Sequence, residues 1–192
     1  MERNEEWSRM REETVASELI YDGRVVHLWR DEVRLPNGAP GLREYVRHIG
    51  AVCVLPLDAD GNVYCVRQYR YPFAEVLTEI PAGKLESKTE DRAAAALREL
   101  REETGFRCGK LTELGDYYSS PAILDERITM YLAEDLTPGE TDFDDDEFLS
   151  TVRVPLRDLT EMVMAGQIRD GKTQVAVLRA AELIRRRKES GK

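Results

Sequence analysis

The chain holds only three cysteines, Cys53, Cys65 and Cys108, and none of them stands in a C-x-x-C pair. An odd count without a close pair excludes a disulfide-stapled framework and leaves a reducing, cytoplasmic setting as the expectation. Histidine is scarcer still. His27 and His48 are the only two, too few for a multi-histidine zinc site within one chain. No apolar run approaches the ~20 residues that cross a bilayer. The opening residues, Met-Glu-Arg-Asn-Glu-Glu-Trp7, carry too much charge for a secretory signal. Positive charge is also in deficit. With 28 Lys and Arg against 37 Asp and Glu, the net charge is −9, which argues against nonspecific nucleic-acid binding.

What is present is an ordinary globular composition. The 192 residues, 42% of them hydrophobic and 34% charged, make about one domain with room for a small appendage. A chain of this size buries roughly two-thirds of its unfolded surface, so it needs no staple.

Residues 13–21, 24–34 and 42–48 read as strands separated by Asp22-Gly23 and Leu35-Pro-Asn-Gly38 turns. They predict an N-terminal β unit over 1–48, too small to stand alone, that packs on the rest of the chain or on a second subunit. Residues 49–192 form the main domain. Its strands are expected at 51–56, 62–68, 75–80, 111–118, 127–133 and 150–154, and two closing helices at 156–166 and 173–188. Asp58-x-Asp60-Gly61 lacks the remaining ligands of a calcium loop and reads as a hairpin turn. In the last helix Val175, Leu178, Ala181 and Leu183/Ile184 fall roughly on one face. Mixed strands and a few helices predict an α+β fold, a sandwich of sheet and helices.

The most informative stretch runs from Gly83 to Phe106. Ala93 to Leu97 are strong helix formers. Thr89 is the expected N-cap, with Glu90 and Asp91 complementing the dipole, and Gly105 the expected terminator. Glu99 and Glu103 are four apart on this helix, and Glu102 lies on the adjoining edge. Like charges stacked in this way destabilise an isolated helix by a few tenths of a kcal/mol, roughly. A divalent cation with oxygen ligands offsets that directly, and Mg²⁺ is the usual choice beside phosphates. The plain alternative is a solvated acidic face partnered by Arg98 and Arg101.

The surroundings of the three glutamates carry a resemblance. Glu90, seven residues, then Arg98-Glu99-Leu100-Arg101-Glu102-Glu103-Thr104-Gly105-Phe106 resembles, position for position, the signature of the Nudix hydrolases, which cut diphosphate bonds in nucleoside-diphosphate derivatives. One spacing departs from it: six residues rather than five separate Gly83 from Glu90. A one-residue loop insertion accounts for this and leaves the helix untouched, but it puts the equivalence of Glu90 in question. Further segments are similar to the ADP-ribose pyrophosphatase subgroup. They are Val66-Arg67-Gln68-Tyr69-Arg70-Tyr71-Pro72, Thr78-Glu79-Ile80-Pro81-Ala82-Gly83, Pro121 at 15 residues beyond Phe106, Asp125-Glu126, and Gly166-x-Ile168-x-Asp170-x-Lys172-Thr173.

The resemblance implies a Nudix fold, an α/β/α sandwich with a mixed sheet plus the N-terminal β unit, working as a homodimer. It implies Glu99 and Glu103 as main Mg²⁺ ligands, Glu102 facing the metal and the Ala82 carbonyl as a further ligand, with Mn²⁺ as a substitute. Arg98 orients the carboxylates through charge-assisted hydrogen bonds. A carboxylate beside the attacking water takes its proton; Glu126 is the first candidate and Glu102 the second. Arg70 pairs with the diphosphate on its terminal-ribose side, and Arg67 stands beside it as a further candidate. Glu79 is assigned to the ribose or a metal-bound water. Arg43 and Glu44, from the N-terminal strands, are assigned to the adenine, by stacking and by hydrogen bonding. Trp7 could instead cap the base, and the acidic run Asp142–Glu147 could add a ligand. The implied reaction converts ADP-ribose and water to AMP and ribose 5-phosphate. The alternatives are another nucleoside-diphosphate sugar, such as GDP-mannose or ADP-glucose, and a non-catalytic ADP-ribose sensor. Neither a nucleic acid nor a membrane is an expected partner.

Overall fold

The computed structural model describes residues 6–142 and 148–191, which fold into two compact units. The first holds the chain up to His48 together with Ser120–Glu126. Its core element is an antiparallel meander of β1 (Glu13–Asp22), β2 (His27–Arg34) and β3 (Pro40–Arg47). The second expected strand begins only at His27, because Gly23 N–H closes a turn onto the Val26 carbonyl at 2.9 Å. The loop from the middle of the chain is tied to β3 by Val46 N–H to Ile123 O (2.8 Å) and Asp125 N–H to Val46 O (3.2 Å). All ten residues of β1 are exposed, Val15, Leu19, Ile20 and Tyr21 among them.

The second unit holds Ile49–Ser119 and the chain from Arg127 onward. A four-stranded mixed sheet runs in the order β7 (Ala82–Lys84), β4 (Ala51–Pro56), β9 (Arg127–Thr137), β8 (Arg107–Tyr118). A three-stranded antiparallel sheet runs β10 (Ser150–Pro155), β5 (Asn62–Arg70), β6 (Glu75–Glu79). Strand β4 shows why the unit is a sandwich. All six of its residues are buried, and the period of two sends them alternately to two separate cores. Ala51, Cys53 and Leu55 join the apolar cluster containing Leu159 and Val163 of α2 (Leu156–Met164) and Ala176, Val177 and Ala180 of α3 (Gly171–Glu189). Val52 and Val54 join the cluster containing Ala95, Ala96 and Leu100 of α1 (Arg92–Thr104). Helices therefore cover both faces of the sheet. Each fully buried leucine in these layers contributes roughly 1.5–3 kcal/mol. Among the described residues no helix is long and apolar enough to cross a membrane.

Several expectations are corrected. The N-cap of α1 is Asp91, not Thr89: its carboxylate accepts from Ala94 N–H at 2.8 Å, while residues 86–90 form a turn in which Glu90 N–H reaches Ser87 O at 3.2 Å. That turn absorbs the extra residue. The buried side of α3 runs through Thr173, Ala176, Val177 and Ala180. Of the expected face, Val175, Leu183 and Ile184 pack partly buried against the same core, whereas Leu178 is exposed. Strand β9 continues past residue 133 to Thr137, paired with a β8 that starts already at Arg107. The short β7 was not expected; it pairs with β4 at Cys53↔Ala82.

Candidate active site

Helix α1 carries the three glutamates near its C-terminal end, where Gly105 (φ 73°) closes it with N–H to the Arg101 carbonyl at 2.8 Å. That end of a helix is the unfavourable one for carboxylates. Even so, Glu99 and Glu103 are buried, at 7% and 3% exposure. Arg98 offsets part of the charge. Its Nη1 donates to Glu99 Oε1 at 2.7 Å and to Glu102 Oε2 at 3.0 Å, and its Nη2 donates to the Lys84 carbonyl at 3.3 Å. Burial disfavours the charge on Arg98, but Glu99 and Glu102 outweigh it and its pKa rises. Glu90 also stays in this group despite the insertion: its Oε1 is 3.5 Å from Arg98 Nη2, and its Oε2 accepts from Glu86 N–H at 2.6 Å.

Strand β7 forms the floor beneath these carboxylates. Ala82 N–H donates to Glu103 Oε1 at 3.4 Å. A Cβ placed on Gly83 would lie 2.1 Å from Glu99 Oε1, so a larger residue there would force the Glu99 carboxylate to move. Among the described residues no three acidic, histidine or cysteine side chains already converge on one point as a cation would require. The reason is visible in the contacts: Arg98 draws Glu99 and Glu102, while Glu103 turns to Ala82. The donor set nonetheless fits a hard divalent cation. It offers three carboxylates within about a turn of helix, two of them buried at the wrong end of the dipole, beside the half-buried Ala82 and a glycine with no side chain to obstruct them.

A second cluster joins the end of β5 to β6 and the start of α3. Arg70 grips Glu79 with two parallel bonds, Nε to Oε1 and Nη2 to Oε2, both 2.7 Å. Glu79 is 2% exposed and does not face solvent. Its other partner is the buried Lys172 ammonium, which also donates to Asp170 Oδ1 at 2.9 Å. Burial works against charge on Glu79, but the Arg70 fork and Lys172 outweigh it and hold the carboxyl below the ordinary carboxylate range. Burial likewise works against Lys172, and Asp170 and Glu79 outweigh it, so the lysine pKa rises.

The remaining expected residues divide as follows. Arg67 is exposed on the opposite face of β5 from Arg70, three residues away on a strand of period two. Arg43, Glu44 and Glu126 belong to the first unit. Arg43 pairs with Glu12 and donates to the Leu42 carbonyl at 2.8 Å. Arg43 and Glu44 line a shallow pocket of about 310 Å³ with Asp31, Tyr45, Pro121 and Asp125. Glu126 Oε1 lies 3.5 Å from His48 Nδ1, and Asp125 accepts from His48 N–H at 2.5 Å. Trp7 is 63% exposed. Of the acidic run, Asp142 lies 3.3 Å from Arg101, and residues 143–147 lie outside the described residues. The sequence reading gave no role to Lys172 or Asp170. A signal was available: a lysine in the first turn of a helix opposes the macrodipole and calls for a partner.

Comparison with known proteins agrees with this architecture. Residues 46–178 match the NUDIX domain, and residues 12–46 match the nucleoside diphosphate sugar hydrolase N-terminal domain. The chain is 42% identical over 170 residues to an ADP-ribose pyrophosphatase of Bacillus subtilis (strain 168), covering 88% of this chain and 91% of that one. It is 42% identical over 168 residues to a methanol dehydrogenase activator of Bacillus methanolicus, covering 86% and 90%. A crystal structure of an ADP compounds hydrolase shares the fold with a TM-score of 0.82 at 22% identity, over 92% of this chain and 95% of that one. With a domain match over most of its length and relatives this similar, the chain belongs to the Nudix hydrolase family.

Proposed function

We propose that the protein hydrolyses the diphosphate bond of ADP-ribose, giving AMP and ribose 5-phosphate, with Mg²⁺ as cofactor and Mn²⁺ able to replace it. The observation that carries the reaction class is Glu99 and Glu103 crowded against Ala82 and Gly83 on the floor strand, with Glu102 joined to Glu99 through Arg98. The choice of ADP-ribose is supported by the relative named for that activity, which aligns over nearly the whole chain. Glu99, Glu103, Glu102 and the Ala82 carbonyl would hold a divalent cation, which when bound would supply neutralisation of diphosphate charge and acidification of water. The chain's own groups do the rest. Arg98 keeps the carboxylates aimed between turnovers. Arg70 presents a guanidinium to the diphosphate, where a planar fork suits phosphate oxygens. Glu126 accepts the proton of the attacking water at its carboxylate, with Glu102 the alternative acceptor. Arg43 and Glu44 hold the adenine, and the exposed β1 face carries the contact of a homodimer. Three free thiols are in keeping with a reducing, cytoplasmic setting.

The test is turnover across a panel of nucleoside-diphosphate sugars with Mg²⁺ and Mn²⁺. ADP-ribose should give the highest kcat/KM, and GDP-mannose or ADP-glucose well above it would replace it as substrate. Glu103→Gln should lose at least about a thousandfold in kcat while melting cooperatively, and a fully active variant would remove the metal assignment. Glu126→Gln should lose more than about tenfold; a smaller loss transfers the base to Glu102.

A further inference from the structure

We infer that Lys172 and Asp170, at the start of α3, are positioning residues that hold Glu79 and thereby aim the Arg70 guanidinium at the substrate's diphosphate. This rests on the proposed role of Arg70 as a diphosphate contact.

Lys172 stands in an unfavourable place. Asp170 is the N-cap of α3, with Oδ2 accepting from Thr173 N–H at 2.9 Å. Lys172 follows within the first turn, where the helix dipole repels a cation. Its side chain is only 9% exposed, so its ammonium has also given up most of its hydration, which is unfavourable by itself. Both penalties are met by two carboxylates, Asp170 behind it and Glu79 on β6 in front. The lysine thus bridges the first turn of the helix to the strand end.

Thr173 adds a second tie at the same place. Its hydroxyl donates to Asp170 Oδ2 at 2.5 Å and accepts the backbone N–H of Ile80, the residue after Glu79, at 2.9 Å. The Glu79 carboxylate and the backbone beside it are therefore both fixed to α3. Glu79 in turn engages the Nε and Nη2 edge of Arg70. A guanidinium has five N–H donors, so the Nη1 end remains for a ligand, and the Arg70 side chain is 41% exposed. Two cations and two anions make the cluster neutral as a whole. Without Lys172, Glu79 would be a buried carboxylate balanced by Arg70 alone and free to draw that guanidinium inward.

The measurement is a double-mutant cycle on the intact protein with ADP-ribose and Mg²⁺. Lys172→Met should raise KM about tenfold with kcat within about threefold, because it removes binding to the diphosphate rather than to reacting atoms. Arg70→Ala should raise KM further. Adding Lys172→Met to Arg70→Ala should then change KM by less than about twofold, since residues acting through one group are not additive. Equal KM effects of Lys172→Met in both backgrounds, or none in either, would overturn the inference. Melting curves exclude global unfolding, and Lys172→Gln serves with the same criteria if the methionine variant does not fold. A wild-type protein inactive on every nucleoside-diphosphate sugar would sink the proposed function and this inference together. An active wild type with additive effects would remove only the role of Lys172 and Asp170.

Discussion

Glu99 lies on Gly83 so closely that a methyl group cannot come between them without moving one, since an added Cβ would sit 2.1 Å from a carboxylate oxygen. Gly83 does not have a left-handed backbone, so the constraint is space alone. Gly83→Ala must therefore push Glu99 or the β7 backbone aside. Overpacking of this kind costs about 1–3 kcal/mol, and a carboxylate displaced by about 1 Å costs on the order of a hundredfold in kcat. Denaturant titration and steady-state kinetics read the two effects separately. A variant within threefold of wild type would mean that β7 yields without moving the carboxylates. The same scale explains what sequence reading could and could not see. The Arg98–Phe106 run is local, and the geometry of a helix is enough to group its glutamates. The pairing of Glu79 with Lys172 spans 93 positions, and no local pattern connects them.

Among the elements, α1 depends on its first turn. Asp91 is its N-cap and supplies the side-chain bond to Ala94 N–H. Asp91→Ala should cost about 1 kcal/mol and lower Tm by roughly 2–4 °C, while Thr89→Ala, outside the helix, should leave Tm within about 1 °C. The opposite result in a thermal melt would return the cap to Thr89. The strands were legible where alternation or β-branched runs marked them, as in β4 and β5. Strand β7 was not. Its three residues, Ala82-Gly83-Lys84, carry no β propensity, and they are extended only because β4 offers them a ladder. The outward Leu178 was likewise hidden, since several stripes on α3 are apolar and only the sheet beneath it selects one.

For the whole molecule, the entirely exposed β1 sets the expectation. Val15, Leu19, Ile20 and Tyr21 lie on one strand in contact with water, and a long edge of this kind is normally covered. Sedimentation equilibrium at micromolar concentration should give twice the 22.0 kDa chain mass. A single-chain mass there would remove the homodimer. On the proposed function, the net charge of −9 would make local cations such as Arg70 matter more, since an anionic substrate would approach against the general field.

The amino-acid sequence by itself determined the class of protein, the helix that bears the signature and the grouping of Glu99, Glu102 and Glu103, because a helix brings residues three and four apart together. Only the tertiary structure decided that Glu79 is buried between Arg70 and Lys172, that Glu90 still reaches Arg98 across the inserted turn, and that Lys172 closes a neutral cluster of four charges. Those outcomes depend on which distant segments pack together, and burial then makes each unpaired charge too costly to leave alone.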